Sequence, residues 1–219
     1  MTGRQLILAS ASPRRRELLA ELVETFAVVT AGIEEDERGA VEELAGRLAL
    51  AKARAVASQN SAAVVLGADT VVALSGMPFG KPGDGDAARG MLRTLRGHTH
   101  QVFTAVAVVA NGDVVQAMSV SNVTLSDLSD TDIEAYVASG RPLDKAGAYA
   151  IQDDDVPTVA GLAGCYCGVM GLPLWLTQRL LARCGIGAVP PRLPRCQDCP
   201  ERDSGQPPGY GVVADATSE

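Results

Sequence analysis

Two apolar, β-branched-rich runs, Gln101 to Ala110 and Val114 to Leu125, stand on either side of the dipeptide Asn111-Gly112. Asn-Gly supplies positive φ at both central positions of a tight turn at little steric cost, so the two runs are predicted to fold back on each other as a long antiparallel hairpin. The pair is antiparallel, and an isolated hairpin is only marginally stable in water. The rest of the chain has to pack around it.

The flanking segments alternate between strand and helix patterns. Gln5 to Ala9 reads as a buried strand, and Ser12-Pro13 as a helix start, with the hydroxyl as cap and proline at the first helical position. From Glu42 to Ala57 apolar residues recur at helical spacing, with Leu44, Leu48, Ala51 and Ala55 on one face. Ala63 to Leu66 and Thr70 to Leu74 form a strand-like run that Gly67, Ala68 and Asp69 are expected to interrupt. A helix is predicted from Gly85 to Leu95, stopping at Gly97. A second is predicted from the Ser129/Asp132 capping box to about Gly140, and a last one from Leu172-Pro173 to Gly185. A strand-loop-helix unit joined to an antiparallel pair gives an α/β fold with a mixed sheet.

The 219 residues are enough for one sizeable domain, placed at 1–186. Beyond Ile186 the chain is rich in Pro, Gly and charge without periodicity, so 187–219 is expected to be a disordered tail. A net charge of −7 argues against binding a nucleic-acid polymer, which requires a basic surface. The apolar stretch Leu6 to Ala9 is too short for a membrane span or a signal sequence, so a cytoplasmic location is expected. The five cysteines are read as free thiols. Cys196-Gln197-Asp198-Cys199 resembles half of a zinc knuckle without its second pair, and Cys165 and Cys167 are read as packing residues on one side of a strand.

Three arginines, Arg14, Arg15 and Arg16, crowd the first turn of the helix that Ser12 opens, where the macrodipole is already positive. That conflict is relieved if Ser10, Ser12 and the guanidinium forks converge on an anion, for which phosphate is the usual case. The glycine-rich lysine loop of P-loop proteins is absent. Asp69, beside Thr70 in an apolar run, either caps a local turn or serves as metal ligand or general base. A hard divalent cation held by one or two carboxylates and by substrate phosphates suits the second reading. Lys52 lies on the apolar stripe of its helix, where snorkelling alone would account for it. Lys81, in Gly80-Lys81-Pro82, and Lys145, in Asp144-Lys145-Ala146-Gly147, sit in loops of the kind that carry function. This many cations in strand-end loops of an acidic chain predict a triphosphate site. His98 and His100 are read as structural, and Glu34, Glu35 and Asp36 as a solvated acidic run from which one carboxylate could join a metal shell.

Taken together these segments resemble the Maf family. The resemblance extends from about Leu6 to Leu181 and rests on eight blocks in one order. They are Leu8 to Arg15, Ile33-Glu34-Glu35, Arg47-Leu48-Ala49 with Lys52-Ala53, Gly67-Ala68-Asp69-Thr70, Gly80-Lys81-Pro82, Asp144 to Tyr149, Ile151-Gln152 and Gly171-Leu172-Pro173. It implies an elongated mixed sheet with flanking helices and two lobes around a cleft, related to inosine triphosphate pyrophosphatases, and commonly a homodimer. It also implies hydrolysis of a nucleoside triphosphate to monophosphate and pyrophosphate with a divalent cation, Mg²⁺ or Mn²⁺. Asp69, Lys52 and Lys81 would be catalytic, with Asp69 and Glu35 on the metal. Ser10, Ser12, Arg14, Arg15, Thr70, Lys145 and Gln152 would hold the substrate. Pro13-Arg14-Arg15 and Gly67-Ala68-Asp69-Thr70 look like the branch acting on dTTP and UTP. Two departures stand out: Ala150 where the pattern has glycine, and Asp153-Asp154-Asp155 after Gln152. The alternative is a non-catalytic nucleotide-binding regulator of septum formation, distinguished by the absence of pyrophosphate release.

Overall fold

The computed structural model describes residues 4–34, 38–153 and 156–204. The hairpin is its spine. β5 (Thr99–Ala110) and β6 (Asp113–Leu125) pair antiparallel from Thr99↔Thr124 to Ala110↔Asp113. Their turn takes φ of 54° at Asn111 and 87° at Gly112, the positive pair expected of a two-residue hairpin loop.

Along the other side of β5 runs β3 (Val64–Leu74), antiparallel from Val64↔Ala110 to Ala73↔Gln101. The expected interruption at Gly67-Ala68-Asp69 is therefore corrected: all three residues pair in register with Ala107, Val106 and Ala105. Ten consecutive cross-strand partners outweigh the weak strand propensity of Gly and Asp. The remaining strands are β1 (Leu6–Leu8), β2 (Ala27–Val28), β4 (Met77–Phe79) and β7 (Val159–Ala163). The sheet runs β2-β1-β3-β5-β6-β7, with β4 also on β3. The β2-β1-β3 pairs are parallel and the others antiparallel, so the sheet is mixed.

The helices are α1 (Pro13–Ala20), α2 (Val41–Ala57), α3 (Gly85–Leu95), α4 (Asp130–Ala138), α5 (Tyr166–Met170), α6 (Leu174–Arg183) and α7 (Pro194–Gln197). Two 3₁₀ turns, Arg141–Asp144 and Ala146–Ala148, join α4 to the loop before β7. The capping box at Ser129 and Asp132 is present. Three apolar clusters result. One packs α1 and α6 on a face of β1 and β3, one packs α2 on the opposite face, and one gathers α3, α4 and the far ends of β3, β5 and β6 into a second lobe.

Two expectations about the cysteines and the C-terminus are corrected. Cys165 and Cys167 are not on a strand: Cys165 caps α5, its sulfur accepting from the Gly168 amide at 3.2 Å, and Cys167 lies within that helix. The segment 187–204, expected to belong to the tail, forms α7 and buries Cys196 and Cys199 in the first cluster. Residues 205–219 lie outside the described residues.

Candidate functional site

β1 ends at Leu8, and the last bond on that side of β3 joins the Ala9 amide to the Leu66 carbonyl. β4 takes up the same edge only at Val72. Between these points the β3 edge from Gly67 to Val71 has no strand neighbour among the described residues, and Asp69 and Thr70 stand in the gap. Alternation sends them to opposite faces of the sheet. Because the gap opens both faces, both residues line a single cavity of about 570 Å³.

Asp69 lies on the α2 side, where Lys52 donates to its Oδ1 at 2.6 Å; the two side chains are only 9% and 11% exposed. The pair forms because α2 lies almost on the backbone of β3. A Cβ added to Gly67 would come within 2.3 Å of the Ala49 carbonyl oxygen and 2.8 Å of the Ala53 amide nitrogen. Glycine at 67 thus sets the depth at which α2 sits. A lysine on its apolar stripe is thereby brought to a buried carboxylate instead of snorkelling to solvent.

On the other face Arg15 is braced before any ligand arrives. Its Nε donates to the Gly171 carbonyl at 2.9 Å and its Nη2 to Thr70 Oγ1 at 3.2 Å. Thr104, on β5, stands 3.1 Å from Thr70 Oγ1 and donates to the Gly168 carbonyl at 2.8 Å. The α1 N-terminus closes this side: Ser10 Oγ accepts from the Ser12 amide at 3.2 Å, and Ser12 Oγ accepts from the Arg15 amide at 3.4 Å. Across the cleft Asp144 bridges two cations, Arg14 Nη1 at 3.1 Å and Lys145 Nζ at 2.7 Å. Burial raises the Asp144 pKa, but the Lys145 hydrogen bond and the fields of Lys145 and Arg14 more than offset this, leaving the carboxyl below its usual range. Lys81 is exposed at the rim, and Gln152 is half-buried beside Ala150 and Ile151.

The ten described candidates, Ser10, Ser12, Arg14, Arg15, Lys52, Asp69, Thr70, Lys81, Lys145 and Gln152, all line this one cavity. Arg16 is exposed and does not line it. Glu35 lies outside the described residues, as do Asp36, Asp154 and Asp155. Asp153 is turned to the Tyr136 hydroxyl, which donates to it at 2.5 Å, and it is not among the lining residues. Ala150 is not one of the residues with positive φ; Ala148 holds that conformation at 61°.

Several lining residues carry no charge and are absent from the candidate set. Leu44, Leu48, Val102, Tyr149 and Met170 give the cavity an apolar component beside its charges. Tyr149 was within reach of a sequence argument, lying in the Asp144 to Tyr149 block. Behind it, His100 Nε2 stands 2.7 Å from the Tyr149 hydroxyl. Burial lowers the His100 pKa to about 4 and pushes the Tyr149 hydroxyl up, so both are neutral near pH 7.

The donor set fits a hard divalent cation brought in with a nucleotide. Asp69 and Asp144 are the carboxylates among the described lining residues. Asp144 is engaged by two cations, whereas Lys52 is held by one oxygen of Asp69. A single carboxylate completed by substrate phosphates is a common way of holding Mg²⁺.

The family model described as Maf-like protein matches residues 5–184. A dTTP/UTP pyrophosphatase of Thermomicrobium roseum is 45% identical over 202 residues, covering 89% of this chain and 93% of that protein. One from Methylococcus capsulatus is 49% identical over 188 residues, covering 84% and 93%. One from Escherichia coli K12 is 47% identical over 180 residues, covering 81% and 91%. Among solved structures, the Staphylococcus aureus Ham1 protein aligns with 57% of this chain and 73% of its own at 14% identity, with a TM-score of 0.43.

Proposed function

The chain belongs to the Maf family, and from that premise we propose that it hydrolyses nucleoside triphosphates, dTTP and UTP foremost, to the monophosphate and pyrophosphate. The observation that carries this reading is the gap in the β3 edge. It exposes one buried carboxylate, Asp69, to a cavity whose described charged residues are otherwise Arg14, Arg15, Lys52, Lys81, Lys145 and the salt-bridged Asp144.

The charges suggest a division of labour. Arg15, braced by Gly171 and Thr70, grips phosphate oxygens without reorganising, and the hydroxyls of Ser10 and Ser12, which accept from backbone amides, keep their own protons to donate to the same oxygens. Such preorganisation is the main catalytic contribution available in phosphoryl-type transfer. Arg14, Lys145 and the rim Lys81 neutralise the charge that develops on the departing pyrophosphate. Asp69 takes a proton from water as the water oxygen bonds to the α-phosphorus; the α–β bridging bond breaks and its electron pair leaves with pyrophosphate. Lys52 holds Asp69 in place. A bound Mg²⁺ or Mn²⁺ would supply Lewis-acid polarisation of the phosphate oxygens, with Asp69 as ligand and Glu35 as its proposed partner. The apolar lining residues Leu48, Tyr149 and Met170 would receive the base.

Location and assembly belong to the proposal as well: a cytoplasmic homodimer that binds neither membrane nor nucleic-acid polymer. The resemblance supports the dimer and the net charge of −7 supports the absence of a polymer ligand. Among the described residues no helix is long and apolar enough to cross a membrane. Sedimentation velocity tests the dimer.

The decisive assay is pyrophosphate release from a nucleotide panel with each metal. Release from dTTP and UTP is expected, and Asp69→Asn should cost about 10²- to 10⁴-fold in turnover, the range for loss of a general base. Nucleotide binding without release would overturn the assignment; wild-type turnover by the variant would remove Asp69 from the chemistry.

A further inference from the structure

The two cysteine pairs that look unrelated in sequence meet in space. Cys167 Sγ lies 3.4 Å from Cys196 Sγ. Cys165 Sγ, Cys199 Sγ and a carboxylate oxygen of Glu201 all lie within 4.8 Å of one another. All four of these cysteines are free thiols and at most 6% exposed. We propose that Cys165, Cys167, Cys196 and Cys199 bind one zinc ion that clamps the segment 187–204 onto α5.

The ligand spacing suits this chemistry. Cys-x-Cys opens α5, and Cys-x-x-Cys closes around α7, each pair presenting two sulfurs within a single turn of chain. Tetrahedral zinc with Zn–S near about 2.3 Å places its sulfurs roughly 3.8 Å apart; Cys167 and Cys196 stand at 3.4 Å and Cys165 and Cys199 within 4.8 Å, and the two pairs would draw together around the ion. Four thiolates with no imidazole select a soft borderline ion over Mg²⁺ or Mn²⁺, so this site does not compete for the metal of the nucleotide cavity. Binding displaces the four thiol protons to solvent. The surrounding contacts suit a liganded site: the Gly168 amide points at Cys165 Sγ at 3.2 Å, and Trp175 Nε1 donates to the Cys196 carbonyl at 2.9 Å.

The segment also needs a source of order. Residues 187–204 hold only a four-residue helix and no strand. Too few apolar side chains accompany them to offset the entropy of ordering such a segment. A metal site supplies what hydrophobic burial does not. Its position gives it a further consequence, because α5 and its C-cap carry the Gly168 and Gly171 carbonyls that hold Thr104 and Arg15.

The test is metal analysis of the full chain, purified without a polyhistidine tag. About one zinc per chain is expected, and Co²⁺ substitution should give a sulfur-to-cobalt charge-transfer band with intense tetrahedral d–d bands. Cys196→Ser with Cys199→Ser should abolish stoichiometric zinc, and Cys167→Ser alone should weaken it at least about 10-fold against a chromophoric chelator. Cys184→Ser, at a half-buried cysteine outside the cluster, should leave it unchanged. Should Cys167→Ser keep full affinity while Glu201→Gln loses it, the four-thiolate site is overturned in favour of one built on Cys165, Cys199 and Glu201. Iron in place of zinc would overturn the proposal, as would a zinc-free protein whose four thiols titrate freely or prove to be disulfide-linked.

Discussion

Asp69 and Lys52 form a buried pair at the mouth of a cavity, which makes each residue matter for stability as well as turnover. Asp69→Asn leaves the Lys52 ammonium buried without that carboxylate. The cost should be roughly 2–3 kcal/mol, somewhat below that of breaking a fully buried pair because cavity water reaches the site. Urea unfolding of the variant checks this, and its activity must be referred to the folded fraction. His100 offers a second test. Its folded pKa of about 4 lies below the ordinary value of 6.5, so the unfolded chain binds the extra proton first. The stability held above pH 6.5 is therefore lost as pH falls toward 4, by roughly 3 kcal/mol in total. His100→Asn should flatten that limb of the urea-midpoint profile, and an unchanged limb would assign the loss to other groups. Much at this scale was legible in the chain. Arginines at a helix N-terminus and lysines in Gly- or Pro-bounded loops announce an anion site by being electrostatically misplaced or conformationally tied. Thr104 and the Gly171 carbonyl gave no such sign, because a threonine inside a strand and a backbone oxygen look like any others until the fold brings Arg15 to them.

Among the elements, the contact between α2 and β3 is the one on which the site depends. Gly67→Ala would drive a methyl group to within 2.3 Å of the Ala49 carbonyl oxygen, a backbone atom that cannot rotate away. The helix must lift. A loss of about 1–3 kcal/mol is expected, together with a fall in kcat larger than any rise in KM, since Lys52 would be drawn off Asp69 while the phosphate-binding face keeps its contacts. Wild-type melting and kcat in this variant would show that the packing depth is not limiting. The helices α1 and α4 were readable from their caps at Ser12 and Ser129, each of which accepts from an amide three residues on, and the structure adds the same device at Asp84 for α3. The continuity of β3 was not readable, because Gly-Ala-Asp has the local character of a turn and only the facing β5 overrides it. The ordering of 187–204 was hidden for a related reason. Its partners Cys165 and Cys167 lie some thirty residues earlier, and no local periodicity links the two pairs.

For the molecule as a whole, the net charge and the site pull in opposite directions. The chain carries −7, yet the described charged residues lining the cavity are Arg14, Arg15, Lys52, Lys81 and Lys145 against Asp69 and Asp144, a local excess of three positive charges. A nucleotide approaching from a distance meets a repulsive field that turns attractive only near the cleft. Screening reaches about 10 Å at 0.1 M salt and about 3 Å at 1 M. Moderate salt should therefore first suppress the long-range repulsion, and higher salt should erode the short-range attraction. At fixed free metal, KM for UTP should be nearly flat up to about 0.1 M KCl and then rise several-fold toward about 1 M, with kcat moving less than about twofold, because the buried Asp69–Lys52 pair is shielded from ions. Lys81→Gln removes the most solvent-exposed of these cations and should both raise KM at low salt and shallow the later rise. A KM that climbs steadily from the lowest salt would mean that the cavity's field dominates at all distances. A Lys81→Gln enzyme with the wild-type salt profile would place that lysine outside the electrostatics of capture.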